Sequence, residues 1–144
     1  MRLVLDKNIV VSALLWKGAP RRLLRAAAVA RVELFTRDPL LAELADVLLR
    51  SKLKRHIAGL GVSPTELFST YARQVEIVQP PDLSRLAPDP DDDVVIGTAL
   101  DAKANFIVTG DRTLLSVGAY EGVRIISVSE ALDAVAQNEL HNGQ

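Results

Sequence analysis

Residues 89–111 read DPDDDVVIGTALDAKANFIVTGD, and the fold class follows from this stretch. Asp89, Asp91, Asp92 and Asp93 crowd ahead of the apolar run Val94-Val95-Ile96, and the segment 93–103 has the character of a helix. Acids at the start of a helix meet its unpaired N–H groups and the positive end of its dipole. The next segment, 105–109, reads NFIVT, a short strand, and Gly110 and Asp111 follow it into a short helical turn over 111–115. A helix, then a buried strand, then an acid is half of a βαβ unit.

The same alternation extends in both directions. Residues 2–6 (RLVLD) form an apolar strand ended by Asp6. Residues 8–16 read as a helix with Ile9, Ser12, Ala13 and Trp16 on one face. Gly18 and Pro20 punctuate, a second helix covers 21–30, and 32–36 is a second strand. Asp38 is placed as an N-cap with Pro39 at the first helical position of a third helix, whose apolar face is Leu40, Leu44, Val47 and Leu48. The basic residues Arg50, Lys52, Lys54 and Arg55 come next. Ser63-Pro64-Thr65-Glu66 opens a helix to about residue 73, and 75–78 is a third strand. Prolines 80, 81, 88 and 90 bracket a loop. The last strand is placed at 123–128, the last helix at 129–135, and a frayed tail at 141–144.

Strands alternating with helices predict an α/β fold: three layers, α/β/α, around a central parallel sheet of about five strands. With 144 residues the chain fits one domain, assigned to 1–138, with 139–144 as a flexible tail. At 49% hydrophobic residues it can fill a core without staples, and with no cysteine it has neither disulfides nor thiolate metal sites. No apolar stretch approaches the ~20 residues of a membrane span. The start, MRLVLD, lacks a long apolar region, so no signal peptide is expected and the expected location is cytoplasmic.

Charge is unevenly spread. Residues 1–60 carry 12 Lys and Arg against 5 Asp and Glu, whereas 61–144 carry 5 against 13. The basic part offers a phosphate-binding surface, with Arg21, Arg22 and Arg25 on one segment and Lys52, Lys54 and Arg55 on another; the alternative is ordinary solvated charge.

Asp6, Glu43, the 91–93 cluster and Asp111 carry the chemistry. In open parallel sheets, ligands bind outside the carboxyl ends of the strands, near a switch point in strand order. Asp6 ends a strand there, with Asn8 nearby. Glu43 shares a helical row with Leu40 and Val47, and a carboxylate turned inward needs a partner. Three successive aspartates repel one another unless a cation intervenes. Converged carboxylates suit the hard cations Mg2+ or Mn2+. Each acid also has a structural alternative: Asp6 and Asp111 as N-caps, Glu43 as a flank position reaching water.

The motifs resemble those of PIN-domain ribonucleases. Leu3-Val-Leu-Asp6-Lys-Asn8 is similar to their opening strand, Glu43-Leu-Ala-Asp-Val-Leu48 to their acidic helix, and Asp89 to Leu100 followed by Val108-Thr-Gly-Asp111 to their third and fourth acid motifs. The resemblance is strongest to compact bacterial PIN proteins that are toxins of toxin–antitoxin pairs (VapC-like). It implies a metal-dependent endoribonuclease with a quartet of Asp6, Glu43, Asp92 and Asp111, Asp93 as the reserve third acid, and Asn8 and Thr109 in support. It further implies Mg2+ or Mn2+, an RNA substrate, an antitoxin partner and a homodimer, with Trp16 and the Leu14-Leu15 pair as candidate contact surface. Lys7 departs from the family pattern, where Thr is common. On a continuing strand it would point away from the face of Asp6 and Asn8. Two other classes compete. One is a catalytically silent PIN-like module that binds RNA or protein. The other, a phosphoacceptor receiver domain, lacks here its paired acids at the first strand and its Lys after the last.

Overall fold

The structure, a computed structural model, describes residues 1–79 and 91–142, with side chains described for 1–79 and 94–140. The proline-bracketed loop at 80–90 lies outside the described residues, as do the side chains of Asp92, Asp93 and His141.

Among the described residues, six strands form one sheet in the order β3-β2-β1-β4-β6-β5. They are β1 (Arg2–Leu5), β2 (Glu33–Thr36), β3 (Val75–Ile77), β4 (Phe106–Val108), β5 (Ala119–Tyr120) and β6 (Val123–Ile126). All neighbours pair in parallel except β5, which runs antiparallel to β6 at the edge. The sheet is flanked by helices on both faces, giving the three-layer α/β/α arrangement.

The strands read as continuous apolar runs because both faces are buried. Leu3 and Leu5 of β1 join one core with helices α1 (Lys7–Leu15), α2 (Ala19–Val29) and α8 (Val128–Asn142). Val4 between them joins the opposite core, with Phe35, Ile107, Ile125 and helix α6 (Asp91–Asp101). A residue period of 2 thus sends alternate side chains of one strand into two separate cores. Helix α3 (Asp38–Leu48) puts Leu40 in the second core and Leu41, Leu44, Val47 and Leu48 in the first. Arg37 and Asp101, both largely buried, form an ion pair that ties the end of β2 to the end of α6. Breaking such a pair from one side typically costs about 3–5 kcal/mol, because the remaining charge stays buried.

Several elements differ from the sequence-based expectation. The basic run at 50–55 belongs to a separate helix, α4 (Ser51–Gly59), anchored by Leu53 and Ile57. Asp38 is the first residue of α3, with Arg37 at the cap position. Helix α5 (Pro64–Ala72) starts with a full capping box, Ser63 bonding the Glu66 N–H and Glu66 bonding back. Helix α7 (Arg112–Val117) is capped by Asp111. The last helix begins one residue earlier than expected and runs to Asn142. In α1 the single apolar face dissolves: Ile9, Val10, Val11, Ala13, Leu14 and Leu15 are all buried. A helix wedged between a sheet and other helices is covered on nearly every side. Leu14 and Leu15 are therefore core and unavailable as a dimer surface, whereas Trp16, just past the helix, is 45% exposed.

Candidate active site

Strand order reverses at β1. The chain runs from β1 outward to β2 and β3, then returns to place β4 on the other side of β1. The crevice beyond the carboxyl ends of β1 and β4 is therefore the switch point, where ligands of such sheets bind. Asp6 follows β1 and Thr109 follows β4, so the topology brings together residues 103 apart in sequence.

The two are bonded. Thr109 Oγ1 donates to Asp6 Oδ2 at 2.8 Å, and the same hydroxyl accepts from the Asp111 backbone N–H at 3.0 Å. Thr109 is completely buried. Its hydroxyl has one proton to give and lone pairs to receive, and both capacities are used. The backbone holds this chain in place: Asp6 N–H donates to Val108 O at 2.9 Å, and Thr109 N–H to Ile126 O at 3.0 Å.

Asp6 sits at the N-cap position of α1, yet its side chain makes no capping bond. An aspartate there ordinarily accepts from the second or third helical N–H. The carboxylate instead faces Thr109, while the negative charge stays beside the positive end of the helix dipole. Asp111 does cap: its Oδ1 accepts from Thr113 N–H at 2.8 Å. It is exposed, as is Asn8 on the first turn of α1.

Glu43 is half-buried, on the flank of α3 between the buried Leu40 and Val47. Its Oε2 lies 3.6 Å from Lys7 Nζ, with the Lys7 and Glu43 side chains 29% and 40% exposed. The expectation that Lys7 turns away is corrected here. Residue 7 belongs to α1 and not to a strand, so the rule of alternation does not govern it. Thr109 thus joins the Asp6 carboxylate to the Asp111 backbone N–H, while the Asp111 carboxylate caps α7 and Glu43 pairs with Lys7, the residue after Asp6. Residues 91–93 begin α6, which packs against β1, β2 and β4.

Among the described residues, no group of three or more His, Cys, Asp or Glu side chains is arranged to hold a metal ion. The donor set nevertheless fits a hard divalent cation in kind, since it consists of carboxylate and hydroxyl oxygens. Neither Asp6 nor Asp111 forms an ion pair with a Lys or Arg among the described residues.

The basic residues lie elsewhere. Arg21 Nε donates to Ala13 O at 3.0 Å and its NH2 group to Leu14 O at 3.1 Å, capping the carboxyl end of α1. His56 is half-buried and bonds Leu15 O at 2.7 Å, with Trp16 stacked on its ring at 4.8 Å. Lys17, Gly18, Arg21, Arg22 and Arg25 line a basic concavity of about 240 Å³. Lys52, Lys54 and Arg55 are exposed on α4.

The PIN-domain family model matches residues 2–113, more than three quarters of the chain. The chain belongs to the PIN-domain family. The matched segment runs from β1 through the cap of α7, and so includes Asp6, Glu43, 91–93, Thr109 and Asp111. PIN domains are generally nucleases, which are hydrolases, and generally use divalent metals. No curated protein and no solved structure matches the chain. No described helix is long and apolar enough to cross a membrane.

Proposed function

We propose that this PIN domain is a Mg2+- or Mn2+-dependent endoribonuclease acting through Asp6, Glu43, Asp92 and Asp111, with Asp93 as the alternative third acid. The observation that carries the reading is the buried Thr109 at the switch point of the sheet, whose hydroxyl donates to the Asp6 carboxylate and accepts from the Asp111 backbone N–H. A residue serving only as a helix cap has no need of a buried threonine that draws its carboxylate away from the cap.

A divalent cation would supply Lewis acidity there, acidifying water and offsetting charge on the scissile phosphate. The protein's own contribution is preorganisation. Thr109 fixes the orientation of the Asp6 carboxylate, and the α7 cap fixes Asp111. Fixed donors cost no reorganisation when charge develops on the substrate. Glu43, half-buried on the flank of α3, is the candidate general base.

RNA is the proposed substrate, bound through its phosphates by exposed cations: Arg22 and Arg25 near α1's carboxyl end, and Lys52, Lys54 and Arg55 on α4. Only 4% of residues are aromatic, so base stacking contributes little and sequence preference is modest. A toxin role, an antitoxin partner, a homodimer and a cytoplasmic location complete the proposal. The dimer surface is sought around exposed Trp16 and Leu49, since Leu14 and Leu15 are core.

The test is cleavage of an RNA panel by the purified chain with Mg2+ or Mn2+, with EDTA, and with Asp6→Asn. Cleavage is expected only with metal and intact Asp6. Cleavage that persists in EDTA would defeat the metal mechanism. Metal-independent RNA or protein binding without cleavage would favour the silent module, the reading that the Lys7–Glu43 pair makes worth testing.

A further inference from the structure

We propose that Lys7 is a tethered cation that holds Glu43 and takes the place of one divalent ion, so that the crevice binds a single divalent cation on its Asp6–Asp111 side. This rests on the metal-dependent reading above and specifies its stoichiometry.

The two halves of the crevice are electrostatically unlike. On one side, Thr109 holds the Asp6 carboxylate and accepts from the Asp111 backbone N–H, and neither acid forms an ion pair with a Lys or Arg among the described residues. On the other, Glu43 Oε2 has an ammonium 3.6 Å away, and both side chains are partly shielded from water. Lys7 is anchored at its backbone. It follows Asp6, whose N–H bonds Val108 O and whose carbonyl accepts from Ile9 and Val10 as α1 begins. The ammonium therefore stays at high local concentration beside Glu43, as no free ion does.

A divalent ion seated on Glu43 would have to expel this ammonium or share the carboxylate with it. Sharing sets two charges against one, twice the repulsion of two unit charges at the same distance. Among the described residues, no Lys or Arg pairs with Asp6 or Asp111 to impose such a cost. Lysine suits the role because its charge is a compact point on a flexible stem that can take an ion's position. Seated there, it also brings one positive charge to the crevice without requiring metal, so Lys7 is a positioning residue for Glu43 and a partial counter-charge for phosphate.

The experiment counts bound Mn2+ on the full-length protein by titration calorimetry and by the electron-paramagnetic signal of free Mn2+. Wild type is expected to bind one equivalent. Lys7→Gln, which keeps most of the length and removes the charge, is expected to bind two. Lys7→Arg is expected to keep one. Glu43→Gln, which breaks the same pair from the other side, should still bind one equivalent with affinity within about threefold of wild type. Circular dichroism checks that each variant is folded; if Lys7→Gln does not fold, the Glu43→Gln result decides. Two equivalents in wild type, one in folded Lys7→Gln, or loss of the single ion in Glu43→Gln would each overturn the inference. No Mn2+ binding by any protein would overturn the metal-dependent reading itself. A single ion in both wild type and Lys7→Gln leaves that reading standing and removes only Lys7.

Discussion

Helix α1 has two ends with opposite chemistry, about 13 Å apart for nine residues at the usual helical rise. At its carboxyl end, Arg21 donates to the carbonyls of Ala13 and Leu14, and His56 bonds that of Leu15. Donors and cations there satisfy the last carbonyls and complement the dipole. At its amino end, Asp6 occupies the cap position without capping and is held by Thr109. One end uses its polar groups to finish the helix. The other withholds a carboxylate from that task and fixes it in a crevice. Departure from the locally cheapest arrangement is what separates a site from a cap.

Substitutions at the two ends should therefore divide cleanly between activity and stability. The largest effect is expected from Asp6→Asn or Asp111→Asn. Metal-dependent RNA cleavage should fall by at least about 100-fold, given that groups merely supporting metal ligands already cost about 10–100-fold. The melting temperature should hold or rise. A variant that loses stability but cleaves normally per folded molecule would return Asp6 to the status of an ordinary cap.

Thr109→Val comes next. It keeps the shape and removes the hydroxyl, leaving buried polar partners short of a bond, at about 1–3 kcal/mol. Cleavage should drop by about 10–100-fold, as for other residues that orient ligands. Chemical denaturation and cleavage rates measured on the same preparation test both parts. Normal activity in a destabilised Thr109→Val would show the hydroxyl to be structural only.

At the opposite end, Arg21→Ala should cost about 1–2 kcal/mol, lowering the melting temperature by several degrees, with cleavage per folded molecule retained. A large loss of cleavage at unchanged stability would move Arg21 into the RNA-binding surface. Charge reversal of Lys52, Lys54 and Arg55 together should leave the fold intact and weaken RNA binding. The salt dependence should flatten by about 0.7 in log–log slope for each phosphate that is no longer neutralised. An unchanged salt slope would leave α4 as a solvated helix.

The smallest effect concerns an ordinary cap. Ser127 bonds the Glu130 N–H, and Glu130 accepts from the Ser127 N–H, which holds its carboxyl below the usual range. A depressed folded value gives stability that is present above the unfolded pKa and lost as pH falls through the folded one. Glu130→Gln should flatten the acid limb of a stability–pH curve slightly, with cleavage unaffected. A change in cleavage there would mean that α8 communicates with the crevice.

Much of this was legible in the chain. The run of residues 89–111 announced a helix, a strand and an acid in order, and the helix and strand were found nearly where periodicity put them. Short apolar strands and Pro- or Ser-opened helices depend on local chemistry, so they survive without tertiary context. Failures came where neighbours decide. Trp16 read as candidate contact surface, because nothing local says that it stacks on His56 at the end of α1. Leu14 and Leu15 read as surface because the burial of α1 depends on helices far along the chain. The antiparallel β5, two residues long, is too short to carry a pattern.

The acids divide along the same line. Residue type and position alone determined that carboxylates lie at strand ends and helix starts, since the apolar runs and the acids that flank them are read directly along the chain. Only the tertiary structure decided which of them meet. Thr109 reaches Asp6 because β4 returns beside β1, a pairing of residues about a hundred positions apart that no local rule foresees. Lys7 reaches Glu43 because the chain enters a helix directly after Asp6, turning toward α3 a side chain that an extended strand would have sent away. Hydrogen bonds and ion pairs act over a few ångströms, and only the packed fold sets which groups come that close.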